Sequence, residues 1–232
     1  MIPLTAYSIS DDPIECAKIT VLDLQYNDLD ELPNLDNYIN LITLICCDNK
    51  LKTLPNLPPS LKILYCRRNN ITHLDNLPPN LEELYCDENA LTSLDNLPPS
   101  LISLYCQTNN IIHLDNLPPN LEELSCLDNY ITSLDNLPRG LKYLDCSINH
   151  ITYLDNLPTN LETLHCDENY IEKLENLPPG LQKLYCMCNK IKTLNNLPLN
   201  SLTRIDLEDN PLEYEFLPTL ENIRKYLSSR MI

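Results

Sequence analysis

The chain has 232 residues, 43% of them hydrophobic, and 33 acidic against 16 basic side chains give a net charge of −17. A molecule this acidic repels phosphate backbones and anionic headgroups, which argues against nucleic acid and membrane surfaces as partners, and no run of about 18 apolar residues is present to span a bilayer. The first residues carry no basic stretch and place Asp11 and Asp12 where a secretory leader would be apolar, so no leader is expected.

Residues 1–18 are expected to form an N-terminal cap with a short helix around Pro13–Ala17. From Ile19 onward a unit of 20 residues returns, Leu-x-x-Leu-x-Cys-x-x-Asn-x-Ile-x-x-Leu-Asp-Asn-Leu-Pro-Pro-x, starting at Ile19, Leu41, Leu61, Leu81, Leu101, Leu121, Leu141, Leu161, Leu181 and Leu202. These ten units fill residues 19–216, the first two residues longer than the rest and the ninth one longer. No unit of this length buries its own apolar face, so the units must stack as a repeat solenoid.

Within each unit x-Leu-x-Cys-x alternates with period two, which predicts a short strand with Leu and Cys inward, and stacked copies make a parallel sheet. Cys46, Cys66, Cys86, Cys106, Cys126, Cys146, Cys166 and Cys186 occupy a position that Leu24 and Leu207 fill in the flanking units, so it is an apolar core site. In-register Cβ vectors suit disulfides poorly, and a row of reduced thiols points to an intracellular, cytoplasmic setting. Asn27, Asn49, Asn69, Asn89, Asn109, Asn129, Asn149, Asn169, Asn189 and Asn210 share one position, where an amide can bridge backbone groups of adjacent coils. The Pro-Pro half of the unit is too short and too poor in amide donors for a helix and should run extended, polyproline-like. Ser60, Asn80, Ser100, Asn120, Gly140, Asn160, Gly180 and Asn200 precede the next strand as turn residues. Leu217, Leu220, Ile223 and Leu227 have helical spacing, predicting a helix over 218–229 within a C-terminal cap at 217–232.

The unit resembles a leucine-rich repeat, and its length with Leu-Pro-Pro before the next Leu is similar to the short bacterial class of YopM-like and IpaH-like effectors; comparable arrays occur in large amoebal viruses. Leu32-Pro33-Asn34-Leu35 and Leu54-Pro55-Asn56-Leu57-Pro58 retain the commoner form of that class. Cys in the strand and Asp-Asn-Leu-Pro elsewhere depart from it. The resemblance implies a horseshoe with short parallel strands on its concave face, an extended convex side and a non-enzymatic role as a protein-binding scaffold, including in host cytoplasm. It also leaves open the substrate-recognition repeats of a ubiquitin ligase lacking its catalytic domain.

Residues flanking the inward Leu and Cys project from the sheet and are free to vary. Before the Cys they run Asp23, Ile45, Tyr65, Tyr85, Tyr105, Ser125, Asp145, His165, Tyr185 and Asp206. The tyrosine stripe with Glu83, Arg67, Arg68, Asp87, Glu88, Tyr143, His165 and Tyr185 is the candidate partner-binding surface. Tyrosine is also a good strand residue, and that reading stands beside it. No catalytic residue is assigned: His165 and Cys166 point to opposite faces and form no dyad. No metal or cofactor is expected, since Cys46-Cys47 and Cys186-x-Cys188 lie seven units apart and His73 and His113 about 10 Å apart. The ladder Asp75, Asp95, Asp115, Asp135, Asp155 and Glu175 is expected to cap turns by accepting backbone N–H bonds, with Ca²⁺ binding as the alternative. The protein is expected to be monomeric.

Overall fold

The computed structural model describes residues 12–195 and 197–228; the parts of the expected caps at 1–11 and 229–232 lie outside the described residues. The chain divides into two compact halves, Met1–Ile111 with Asp115–Leu121 and Ile112–Leu114 with Glu122–Ile232.

The first half opens with α1 (Pro13–Cys16), whose N-cap Asp12 accepts the N–H of Ile14 at 2.9 Å ahead of Pro13 at the first helical position. This is the pairing of cap and proline that starts a helix cheaply. Then come β1 (Val21–Asp23), β2 (Thr43–Ile45), β3 (Ile63–Tyr65), β4 (Glu83–Tyr85) and β5 (Ser103–Tyr105), paired in parallel so that each residue faces its equivalent one repeat on. The strands are three residues long, shorter than the five-residue alternation predicts, yet pairing runs on to the cysteine, as in Cys46 N–H to Tyr65 O at 2.8 Å. In the second half β6 (Glu123–Ser125), β7 (Tyr143–Asp145), β8 (Thr163–His165), β9 (Lys183–Tyr185) and β10 (Arg204–Asp206) pair in the same way.

Each half is built around the same buried rows. Leu44, Leu64, Leu84 and Leu104 in the first, and Leu124, Leu144, Leu164 and Leu184 in the second, are sealed from solvent, as are all eight ladder cysteines. Full burial of each leucine contributes about 1.5–3 kcal/mol. All eleven cysteines are free thiols. The Sγ of Cys86 donates to Tyr105 O at 3.5 Å and that of Cys166 to Tyr185 O at 3.3 Å, and burial pushes their pKa well above the ordinary thiol value.

The asparagine ladder binds repeat to repeat. Asn69 accepts Leu51 N–H at 3.0 Å and shares its two amide hydrogens among the carbonyls of Cys46, Cys66 and Arg67; Asn169 does the same with Ile151, Cys146, Cys166 and Asp167. The residue before each ladder asparagine turns the chain with positive φ, at Tyr26, Asp48, Arg68, Glu88 and Thr108 in the first half and Asp128, Ile148, Glu168, Cys188 and Asp209 in the second.

The far side of each repeat has no helix among the described residues and bends at two places. One is a turn closed by bonds such as Leu61 N–H to Pro58 O at 3.0 Å. There the predicted turn residues also reach back one repeat: Ser60 Oγ donates to Leu41 O and Asn160 Nδ2 to Arg139 O. The other bend is at Asp-Asn-Leu-Pro, and its chemistry differs from the expectation. The asparagine, not the aspartate, makes the turn: Asn76, Asn96, Asn116, Asn136, Asn156 and Asn176 all have φ between 58° and 64°, a left-handed conformation that Asn tolerates better than most residues. Among the described residues no backbone N–H donates to the Asp75, Asp95, Asp115, Asp135 or Asp155 carboxylates. Asp135 and Asp155 instead accept long 3.4 Å bonds from the side chains of Asn156 and Asn176.

The C-terminal helix α2 spans Leu220–Ser228. Thr219 caps it, its Oγ1 accepting Asn222 N–H at 3.3 Å, and Ile223 is fully buried. Leu217, expected on the helix, precedes it and is 76% exposed, because Pro218 follows and biases Leu217 away from helical dihedrals.

Candidate functional site

The alternation that buries Leu and Cys directs residues two apart along each strand to the opposite, open face of the sheet. In the first half Tyr65, Tyr85 and Tyr105 occupy one register there, and their rings stack with centroids 4.4 and 4.8 Å apart and planes within 15°. Parallel pairing alone produces this, since equivalent positions recur at about the strand spacing of 4.8 Å. The Tyr85 hydroxyl donates to Glu83 Oε2 at 3.1 Å. Partial burial first, and the Glu83 carboxylate second, hold the Tyr85 phenol well above its usual pKa.

Beside the stack lies a charged border. Arg68 Nε bonds both carboxylate oxygens of Glu88, at 2.9 and 3.0 Å, and its Nη1 lies 3.7 Å from Asp48. Arg67 pairs with Asp87 at 3.5 Å and Glu88 at 3.9 Å, and its Nε is buried without a hydrogen bond. Burial raises the Asp87 pKa against the pull of that arginine. Expected residues Tyr65, Arg67, Arg68, Glu83, Tyr85, Asp87, Glu88 and Tyr105 thus come together on one surface.

In the second half the candidate residues assemble around His165. Its ring stacks on Tyr185 at 4.2 Å and 9°, Tyr143 lies diagonally across at 5.7 Å, and the Arg204 guanidinium sits 5.2 Å over Tyr185. Asp167, on the same face, accepts Met187 N–H at 2.7 Å; burial raises its pKa, opposed by that bond and by His165. Partial burial and the charges of Asp145 and Glu123 push Tyr143 up to about 12. His165 and Cys166 are directed to opposite faces, with Cys166 sealed in the core. Among the described residues no three His, Cys, Asp or Glu side chains converge as metal ligands.

A second aromatic row went unremarked in the sequence. Tyr130, His150 and Tyr170 follow one another at 5.8 Å steps, the first pair stacked and the second tilted by 33°, and Lys190 Nζ lies 4.6 Å over the Tyr170 ring. All four follow the ladder asparagine in successive repeats, so tracking that position as well as the one before the cysteine would have found them.

No family model matches the sequence, and no curated protein does. Solved structures are similar. YopM from Yersinia enterocolitica superposes with a TM-score of 0.76 at 37% identity over 83% of this chain and 42% of that one. The functional domain of InlJ from Listeria monocytogenes, which includes a cysteine ladder, does so with 0.78 at 36% identity over 90% and 48%. A Shigella effector leucine-rich repeat domain matches at 28% identity over 93% and 80%, with 0.52. The chain therefore spans under half the length of the first two.

Proposed function

The chain is a leucine-rich repeat protein with repeats of about 20 residues, and from that premise we propose that the open face of its sheet docks a protein partner and catalyses no reaction. The Tyr65, Tyr85 and Tyr105 stack carries the reading. Three aromatic side chains are held parallel by one another and by the buried leucine row beneath them, so little conformational entropy remains to be lost on contact, and tyrosine surfaces of this kind anchor protein interfaces. The Arg67, Arg68, Asp87 and Glu88 cluster supplies a polar rim. In the second half Asp145, Asp167 and Asp206 surround His165 and Tyr185 with acceptors suited to basic side chains.

Similarity to YopM, a leucine-rich effector in Yersinia pestis that matches at 35% identity, supports action inside a host cell. The buried thiols are compatible with that setting but do not require it, because full burial shields them from oxidants anywhere. The same proposal takes residues 19–216 as ten repeats between caps at 1–18 and 217–232, with the folded protein monomeric.

A photo-crosslinking p-benzoylphenylalanine at Tyr85, compared with one at exposed Tyr153, tests the docking face in host-cell lysate. Crosslinks from Tyr85 alone, lost when Tyr65 and Tyr105 are changed to Ala, are expected. The same products from both positions would overturn the proposal.

A further inference from the structure

The main-chain pairing of the second half leaves one set of bonds open. Leu-position and Cys-position groups of every strand face the following strand: Cys146 N–H meets His165 O, Cys166 N–H meets Tyr185 O and Cys186 N–H meets Asp206 O. On β10 Arg204 N–H bonds back to Gln182 O at 3.2 Å and Asp206 O takes Cys186 N–H at 2.9 Å. By alternation, Ile205 directs its N–H and C=O, and Leu207 its N–H, away from β9. Neither N–H has a partner among the described residues, but Leu207 is buried, so the accessible edge groups are those of Ile205. Ile205 is also partly exposed, whereas Leu144, Leu164 and Leu184 at the same position are fully buried.

This edge forms one wall of a cleft of about 630 Å³. The opposite wall is the segment from Leu212 to Leu220, where Tyr214 is fixed by accepting Leu194 N–H at 2.9 Å and packs 5.3 Å from Phe216. Helix α2 backs this wall, Tyr226 packing 4.8 Å from Tyr214 and 5.2 Å from Phe216 and Arg224 donating to Leu199 O and Leu202 O, while no residue of it beyond Leu220 lines the cleft. Asp206, Glu208 and Asp209 border the cleft against one cation, Arg204, which already lies over Tyr185.

We propose that the β10 edge accepts an added strand from another protein: an extended segment with two apolar residues flanking a basic one. The Ile205 N–H and C=O supply the main-chain bonds of strand addition. The apolar residues would continue the rows ending at Ile205 and Leu207, and the basic side chain would face Asp206. An unpaired edge bordered by apolar surface is otherwise a liability that proteins cover or charge. The proposal is independent of the tyrosine face.

The test uses the full chain and the acetylated peptide Ser-Thr-Leu-Lys-Leu-Asn-Ser amide. Hydrogen exchange at the Ile205 amide should slow about tenfold or more at saturation. The effect should vanish with a peptide N-methylated at Thr and Lys, with Glu in place of Lys, and in Ile205→Pro, and should persist when Tyr65, Tyr85 and Tyr105 are Ala. Equal binding by the N-methylated peptide, or no slowing at the Ile205 amide, would overturn the proposal on the native chain, whatever the fold of Ile205→Pro. Concentration-dependent association of the peptide-free chain that Ile205→Pro abolishes would overturn it in favour of a second copy as occupant.

Discussion

Asn149 Oδ1 accepts the main-chain N–H of Ile131 at 2.9 Å, eighteen residues back along the chain. Its Nδ2 donates to the carbonyls of Cys126, Cys146 and Ser147, and the side chain is 5% exposed. Asn149→Ala strands these groups together in the interior, so a loss of about 3 kcal/mol is expected. Asn110→Ala, at an exposed position, should stay within about 0.5 kcal/mol. Urea unfolding measures both, and equal effects would refute a structural role for the ladder.

Ile148 precedes that asparagine with φ at 52°, a conformation that costs an L-residue roughly 1–2 kcal/mol and is most awkward for a branched side chain. Its side chain is 40% exposed, so little packing is lost on replacing it. Ile148→Asn should raise the stability by about 1 kcal/mol, while Ile148→Val, still branched, should bring no gain. The urea midpoint decides.

Gly180 stands where Asn160 donates to Arg139 O at 3.2 Å. A Cβ there meets only Thr159 O at 3.9 Å, and no glycine in the chain has positive φ. Gly180→Asn should therefore form the missing bond to Thr159 O and lower unfolded-state entropy, stabilising by about 0.5–1 kcal/mol. A thermal melt that is unchanged or lower would count against it.

Ten of the eleven thiols are buried and Cys188 is exposed. A thiol reagent should label one cysteine in the native state and all eleven after denaturation, and Cys188→Ser should remove the native reaction. Local desolvation and then the Asp209 carboxylate, 3.7 Å from the sulfur, raise the Cys188 pKa. Its labelling should accordingly be slow at neutral pH and accelerate with alkalinity.

Tyr143 must lose its proton at a higher pH folded, about 12, than unfolded, near 10. The folded state then binds more protons across that interval, so its contribution is fully present below pH 10 and declines as pH rises toward 12. Tyr143→Phe should flatten part of the alkaline loss of stability, and spectrophotometric titration should show one phenol fewer in the late phase. Identical alkaline unfolding of both proteins would remove Tyr143 as the cause.

Much of this architecture was readable from the period alone. When Cys86, Cys106 and Cys126 recur at a spacing of 20, each must play the role of its neighbours, so strand, core row and asparagine ladder follow together. The left-handed turns did not follow. Arg68, Thr108 and Ile148 have no taste for positive φ; the bonds of the next residue, the ladder asparagine, impose it on them. Leu217 matched a helical pattern that Pro218 cuts short. The tyrosine stack was legible because it lies along one register, whereas the diagonal meeting of Tyr143 and His165 depends on side-chain directions that composition does not encode.

The asparagine bonds reach one repeat back and no further, so any two neighbours within a half are joined by the same chemistry as any other two. Residues 81–100 could be excised, and Leu101 would meet the surface of the repeat starting at Leu61 as Leu81 now does. Length in such a chain changes in whole steps without redesign of any junction, and a gene that duplicates or drops one repeat alters the extent of the exposed tyrosine face while leaving the interior grammar intact.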